Sequence, residues 1–279
     1  MIFGRHKIKL MSINNTEIRI GNFTSSGIAD LLTLAKNGKD FGAPALSYIY
    51  DCNMERRFGL PISGETDAVP TEWGKALEPF VHEILPMSYE YTSQITTVHP
   101  TIDFWAGSAD GFNNNGERAI VDIKCPFTRA SFHGLVMPLV CGLSGIDAVN
   151  AIRFGFDDEH GNKFNKHKQG EQYYQQLVSN AIINNCAYAE LIVYMPYRSD
   201  LLTIMPIITE IPKLRYVGDR VPFIEDVGMF KNLNIIRFKV PQSDKDLLTE
   251  TVERAGKMLI PRTPSVLLAP QPEPSVTIV

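Results

Sequence analysis

The 279-residue chain has no apolar run of about 18 residues, the length needed to cross a bilayer as a helix, so a helical membrane protein is not expected. Its first residues, MIFGRHKIKLMS, hold no apolar stretch long enough for a signal-peptide core, which predicts a cytoplasmic setting. Cysteine is scarce. The four present (Cys52, Cys125, Cys141 and Cys186) show no CxxC spacing, which argues against a zinc ribbon, an iron–sulfur cluster or a disulfide-stapled scaffold and predicts reduced, mostly buried thiols. Positive charge is also not in excess: 27 Lys and Arg stand against 31 Asp and Glu, a net charge of −4, which disfavours a protein that coats nucleic acid with a generally basic surface. A nuclease remains compatible, because its carboxylates cluster around metal while Lys and Arg gather in one groove. No internal repeat is visible.

What is present is an ordinary globular composition, 44% hydrophobic and 21% charged. We read one domain over 1–262 and a proline-rich, extended tail over 263–279. Near the start, Arg5, His6, Lys7 and Lys9 form a basic run that reads as a solvated arm. Thr24-Ser25-Ser26-Gly27 followed by Ile28, Leu31, Leu32 and Leu34 predicts a hydroxyl-capped helix. A second helix is expected over 44–58, with Pro44 at its start, Leu46, Ile49, Tyr50 and Met54 on one face and Gly59 as its stop. Residues 61–64 read as a loop. The clearest helix starts near Thr71 and carries Trp73, Leu77, Phe80, Val81 and Ile84 at the spacing of a buried stripe.

The periodicity then changes to that of extended chain. One strand is expected near Phe104–Phe112 and another at Arg118–Cys125, joined through Asn113-Asn114-Asn115-Gly116, residues that tolerate the positive φ of a hairpin turn. Residues 133–170 read as a long excursion inserted in the domain. A helix follows over 171–186 through Tyr173, Tyr174, Leu177, Ala181 and Ile182, then a strand at Leu191–Tyr194 and another at Leu202–Ile208. The last helix is placed at 244–259, capped by Ser243, with Leu247, Leu248 and Val252 inward.

The chemistry concentrates in Ser108-Ala109-Asp110-Gly111 and Val121-Asp122-Ile123-Lys124. Asp122 and Lys124 leave one face of a strand while Val121 and Ile123 leave the other. If the hairpin pairs, Asp110 comes beside Asp122, and two close carboxylates call for a cation. Magnesium suits them as a hard, oxygen-seeking ion that keeps waters for a phosphate to displace, and the carbonyl of Ile123 can add a ligand. Lys124 is placed to orient or deprotonate an attacking water. A structural salt bridge on a hairpin produces the same pattern. Glu78, at the edge of the amphipathic helix where a carboxylate could reach a cleft, and Gln176, on the helix at 171–186, each read in isolation as a solvated side chain before a site residue.

Read together, Arg19-Ile-Gly-Asn-Phe-Thr-Ser-Ser26, Trp73-Gly-Lys-Ala-Leu-Glu78, Ser108-Ala-Asp-Gly111, Asp122-Ile-Lys-Cys-Pro-Phe-Thr128 and Tyr173-Tyr-Gln-Gln176 resemble the lambda exonuclease family in order and spacing. These are the YqaJ-like viral recombinase nucleases of the PD-(D/E)xK group. The resemblance implies an α/β restriction-endonuclease-like fold, a central mixed sheet flanked by helices. It implies a magnesium-dependent exonuclease, with manganese as a substitute, that degrades one strand of duplex DNA 5′ to 3′ and leaves 3′ overhangs for recombination. Asp110, Asp122, the Ile123 carbonyl and Glu78 would bind metal, Lys124 would activate water, and Gln176 would position the water or Lys124. Arg19, Ser26 and Lys36 would hold the 5′-phosphate end, although Arg19 also reads as a plain surface charge. A homo-oligomer, a trimer in the family, and a single-strand annealing protein would be the partners. Asp122 stands where the lambda enzyme has glutamate, and the longer connection between Lys124 and Gln176 puts the oligomer in doubt. The alternatives are an endonuclease of the same fold and a catalytically weak DNA-end-binding scaffold.

Overall fold

A computed structural model describes residues 17–62, 68–92 and 95–262. In chain order it runs through β1 (Phe23–Thr24), α1 (Ile28–Leu31), α2 (Ala43–Phe58), α3 (Val69–Ile84), β2 (Tyr89–Tyr91), β3 (Thr97–Val98), β4 (Trp105–Gly107), β5 (Gly111–Asn113) and β6 (Ala119–Lys124). It continues with α4 (Arg129–Val140), α5 (Gly145–Phe154), β7 (Phe156–Asp157), β8 (Lys163–Phe164), α6 (Gly170–Ile183), β9 (Tyr188–Tyr194), α7 (Leu201–Glu210), a 3-10 turn (Gly218–Arg220), β10 (Leu233–Lys239) and α8 (Gln242–Gly256).

The central sheet has the order β10-β9-β6-β5-β2 and is mixed: β6 runs parallel to β9, and the other neighbours are antiparallel. A smaller sheet, β1-β4-β3, and the β7-β8 ribbon complete the strands. The central strands are buried on both sides, because helices cover each face. On one face Ile120, Leu191, Val193, Ile236 and Phe238 join a core with Phe132, Leu135, Ile152, Leu177 and Leu248 from α4, α5, α6 and α8. On the other, Val121, Ile123, Ile192 and Tyr194 meet Trp73, Leu77 and Val81 of α3 and Ile204 and Ile208 of α7. Truncating a side chain as enclosed as Leu177 would cost about 2–5 kcal/mol.

Helices α2 and α3 follow local rules. Each has proline in its first turn, and α2 ends on Gly59 at φ 69, whose N–H donates to Glu55 O at 2.8 Å. The buried face of α2 is turned from the expected one, with Ala45, Ile49 and Cys52 inside and Leu46 and Tyr50 exposed. In α3 Trp73, Leu77 and Val81 are buried as expected, while Ile84 at the end is exposed. The hairpin of β5 and β6 forms, with Gly111, Phe112 and Asn113 opposite Val121, Ile120 and Ala119.

Other expectations are corrected. The helix expected from Thr24 begins at Ile28 and lasts one turn, because Phe23 and Thr24 pair with Trp105 and Ala106 as a strand. The strand expected over 104–112 is two strands in different sheets, broken at Ser108–Asp110. The apolar stretch 202–208 is helix, not strand: Ile204 and Ile208 are buried one helical turn apart while Leu202 and Ile207 face solvent. Helix α8 starts after Pro241 with no side-chain cap, and its Leu247 is exposed while Thr251 and Ala255 are buried. Residues 133–170 form most of α4, all of α5 and the ribbon, and Leu135, Val136, Val149 and Ile152 lie in the main core, so this stretch is no excursion. Strand β10 was not expected at all, although Ile236, Phe238 and Val240 alternate with Arg237 and Lys239. Cys52, Cys125 and Cys186 are buried, Cys141 is half-buried, and all four are free. The basic run at 5–9, the loop residues 63–64 and the tail 263–279 lie outside the described residues.

Candidate active site

The break between β4 and β5 places the first carboxylate. Gly107 and Gly111 flank it, and both must be glycine: a Cβ on Gly107 would overlap Ser25 Oγ and Asn180 Oδ1, and one on Gly111 would overlap Glu90 O. Between them the Ser108 carbonyl accepts from Asn180 Nδ2 at 3.1 Å, Asp110 N donates to Val121 O at 3.0 Å, and the Asp110 carbonyl accepts from Thr92 N at 3.1 Å. The Asp110 side chain turns to the end of β6, where Oδ2 accepts from Ile123 N at 2.6 Å. Asp110 is thus pinned where the chain changes sheets.

Asp122 is fully buried on β6, and Lys124 Nζ lies 2.7 Å from its Oδ2. Neither Asp122 oxygen accepts a hydrogen bond in proper geometry, so that contact is charge against charge. Lys124 Nζ donates to Gln176 Oε1 of α6 at 3.2 Å and lies 4.8 Å from the centre of the Tyr173 ring. Burial, then the neighbouring Glu78, hold the Asp110 carboxyl well above the carboxylate range, and the two carboxyls are hydrogen-bonded to each other. Burial pushes Asp122 up to about 7, with Asp110 adding to the shift and Lys124 opposing it. Burial alone would lower Lys124, but Asp122 and Asp110 outweigh it and keep the ammonium charged. Cys125 is no nucleophile: burial, Glu78 and Asp110 push its thiol well up.

The structure therefore brings together Glu78, Asp110, Asp122, Lys124, the Ile123 backbone and Gln176. A small cleft of about 40 Å³ opens beside Gln176 and is lined by Arg19, Thr24, Ser25, Ser26, Thr96 and Ser108. Arg19 and Ser26 meet there, with 3.4 Å from the guanidinium to Ser26 Oγ. Lys36 does not join them: it is exposed in the loop between α1 and α2. Sequence reasoning missed Thr24, Thr96 and Ser108 as walls of the cleft and Tyr173 as the ring beside Lys124. Ser108 stands two residues before Asp110 and was within reach of the motif. Thr96 lies just before β3, remote in sequence from the motif, and carried no signal. A larger cavity of about 490 Å³ lies between α1, α6 and α8, away from these groups.

The donor set fits a small hard cation. Asp110 and Asp122 lie against Lys124 and Glu78 bonds Asp110, and burial, with the neighbouring carboxyls adding to it, is what raises the two aspartates. Among the described residues no three of His, Cys, Asp or Glu close on one point as a ready cage. Magnesium does not require a cage, since one or two carboxylates with water and phosphate suffice.

Residues 16–138 match the sequence profile of the YqaJ-like viral recombinase domain. No curated protein sequence matches the chain. Among solved structures it is similar to the alkaline exonuclease of Laribacter hongkongensis, at 16% identity and TM-score 0.53, covering 88% of this chain and 91% of that one. It is also similar to a phage-related exonuclease of Haemophilus somnus, at 14% identity and TM-score 0.57, covering 85% and 92%. The fold shared with these structures is a central mixed sheet flanked by helices, and here the acidic cluster sits where the central hairpin meets those helices.

Proposed function

We propose that this YqaJ-like chain is a magnesium-dependent exonuclease that degrades one strand of duplex DNA 5′ to 3′ and leaves 3′ overhangs for recombination. The observation that carries the proposal is Asp122: a fully buried carboxylate without a hydrogen bond, opposite Asp110 and beside a charged lysine that Gln176 holds. The solved relatives support the same chemistry, one of them having been crystallised with dAMP.

In this reading Asp110, Asp122 and the Ile123 carbonyl hold magnesium, with Glu78 joining directly or through water. When bound, the ion lowers the pKa of a water and offsets charge on the phosphate. Lys124, as an ammonium, donates hydrogen bonds that orient the water and stabilise charge developing on the phosphoryl oxygens. Gln176 keeps Lys124 Nζ on that side of the site. Arg19 and Ser26, with the hydroxyls around them, receive the 5′-phosphate of the end, so that the bond one nucleotide inward meets the carboxylates. A homo-oligomer around the duplex and an annealing-protein partner rest on the family resemblance.

The test compares linear duplex with a labelled 5′-phosphate against a closed circle, in magnesium or EDTA, for the wild type and Lys124→Ala. Magnesium- and Lys124-dependent release of 5′ nucleotides from linear DNA alone is expected. Cutting of the circle would make the chain an endonuclease, and DNA binding without cutting would make it an end-binding scaffold.

A further inference from the structure

Residues 156–168 carry charge that the catalytic reading leaves unused. The ribbon of β7 and β8 has Asp157 on β7 opposite Lys163 on β8, Asp158 and Glu159 at its turn, and Lys166 and Lys168 following β8. The turn's acids are partly occupied: Asp158 accepts from His160 N at 2.9 Å, from Asn162 N at 2.7 Å and from Asn162 Nδ2 at 2.8 Å. The three lysines are exposed, and among the described residues none of them forms an ion pair.

The return side is held in place. Phe156 stacks on Phe164 with ring centres 4.7 Å apart, and His167 N donates to Ile152 O at 2.8 Å. A Cβ on Gly170 would overlap Ile152 O, so α6 begins in close contact with the end of α5. His167 links this base to the active site. Its ring stacks on Tyr173 at 5.7 Å, its Nε2 lies 2.9 Å from Ser131 Oγ, and Tyr173 is the ring beside Lys124. Lys166 and Lys168 therefore flank a residue one ring away from the catalytic lysine.

We infer that Lys163, Lys166 and Lys168 grip the sugar-phosphate backbone of duplex DNA beside the cleavage site. Lys163 stands opposite Asp157 in the ribbon, whereas Lys166 and Lys168 lie beyond the paired residues, and a cluster of exposed ammonium groups suits a polyanion. As point charges on flexible stems they suit phosphates and not base edges, so the grip is independent of sequence. The inference rests on the nuclease reading for its substrate.

The test is binding of a fluorescein-labelled duplex by the full chain in EDTA, over roughly 50 to 300 mM NaCl, for the wild type and the triple variant Lys163→Ala, Lys166→Ala, Lys168→Ala. The slope of log K against log salt should become shallower by about 0.9 per lysine, about 2.7 in all. The triple Lys→Arg variant should keep the wild-type slope, and a triple Lys→Gln variant replaces the alanine set if that set melts early. An unchanged slope in a folded neutral variant overturns the inference, as does an equal loss in the arginine variant. Wild-type binding with the expected slope change but no cutting in magnesium would overturn the nuclease reading and leave this one standing. A wild type that binds no duplex overturns both.

Discussion

Two buried carboxylates on neighbouring strands of one sheet have opposite fates. Glu190 on β9, 1% exposed, accepts from Tyr89 OH at 2.8 Å, Asn113 Nδ2 at 2.9 Å and Arg237 at 2.7 Å, a network that ties β2, β5, β9 and β10 together. Asp122 on β6, 0% exposed, has a single cation at 2.7 Å, no hydrogen bond on either oxygen and a second carboxylate opposite. A buried charge left this way costs stability, whereas a fully partnered one fixes the strands around it. The sheet thus holds one acid for structure and keeps another short of partners, which is the condition for binding a ligand.

The comparison breaks most readily at Lys124. Lys124→Ala should lower magnesium-dependent DNA cutting by about 10²–10⁴-fold with the fold intact, measured as nucleotide release alongside circular dichroism. Glu190→Ala should do the reverse. Unpairing the Tyr89 hydroxyl, Asn113 and Arg237 costs about 3 kcal/mol in urea unfolding, with cutting per folded molecule unchanged. An activity loss larger than the stability loss would erase the distinction between the two acids.

The third prediction concerns pH. In the metal-free fold Asp122 keeps its proton up to about 7, whereas the unfolded chain releases it near 3.8. The native state binds the extra proton in that window, so its stability falls as pH rises from 3.8 to about 7 and stays lower above. Asp122→Asn should flatten that part of the melting-temperature profile. At pH 8, magnesium at a hundred times its Kd should restore about 2.7 kcal/mol relative to EDTA. The smallest effect is expected at Gln176, which touches the site only through Lys124: Gln176→Ala should lose about 10–100-fold in kcat with little change in KM.

Much of the site was legible because its residues are close in sequence. The two-residue period puts Asp122 and Lys124 on one face, and the asparagine-glycine turn brings Asp110 opposite, needing only hairpin geometry. Lys36 falls outside the cleft for the converse reason: its position depends on the path of a loop, which no periodicity encodes. The strand expected at 202–208 failed because a short apolar run suits either period, and packing on α3 selected the helix. The stretch 133–170, expected as a long excursion, packs into the domain because its glycines and charges sit at the caps and ribbon while the residues between them enter the core.

The sequence by itself determined the helices α2, α3 and α6, the β5–β6 hairpin and the family likeness, since each depends on contacts within a few residues or on a local motif. Only the tertiary structure decided that Asp122 lacks hydrogen bonds while Glu190 has three, that Gln176 rather than solvent meets Lys124, and that Arg19 shares a cleft with Ser108. Burial and long-range pairing set those outcomes, and both are properties of the packed sheet and not of any one segment.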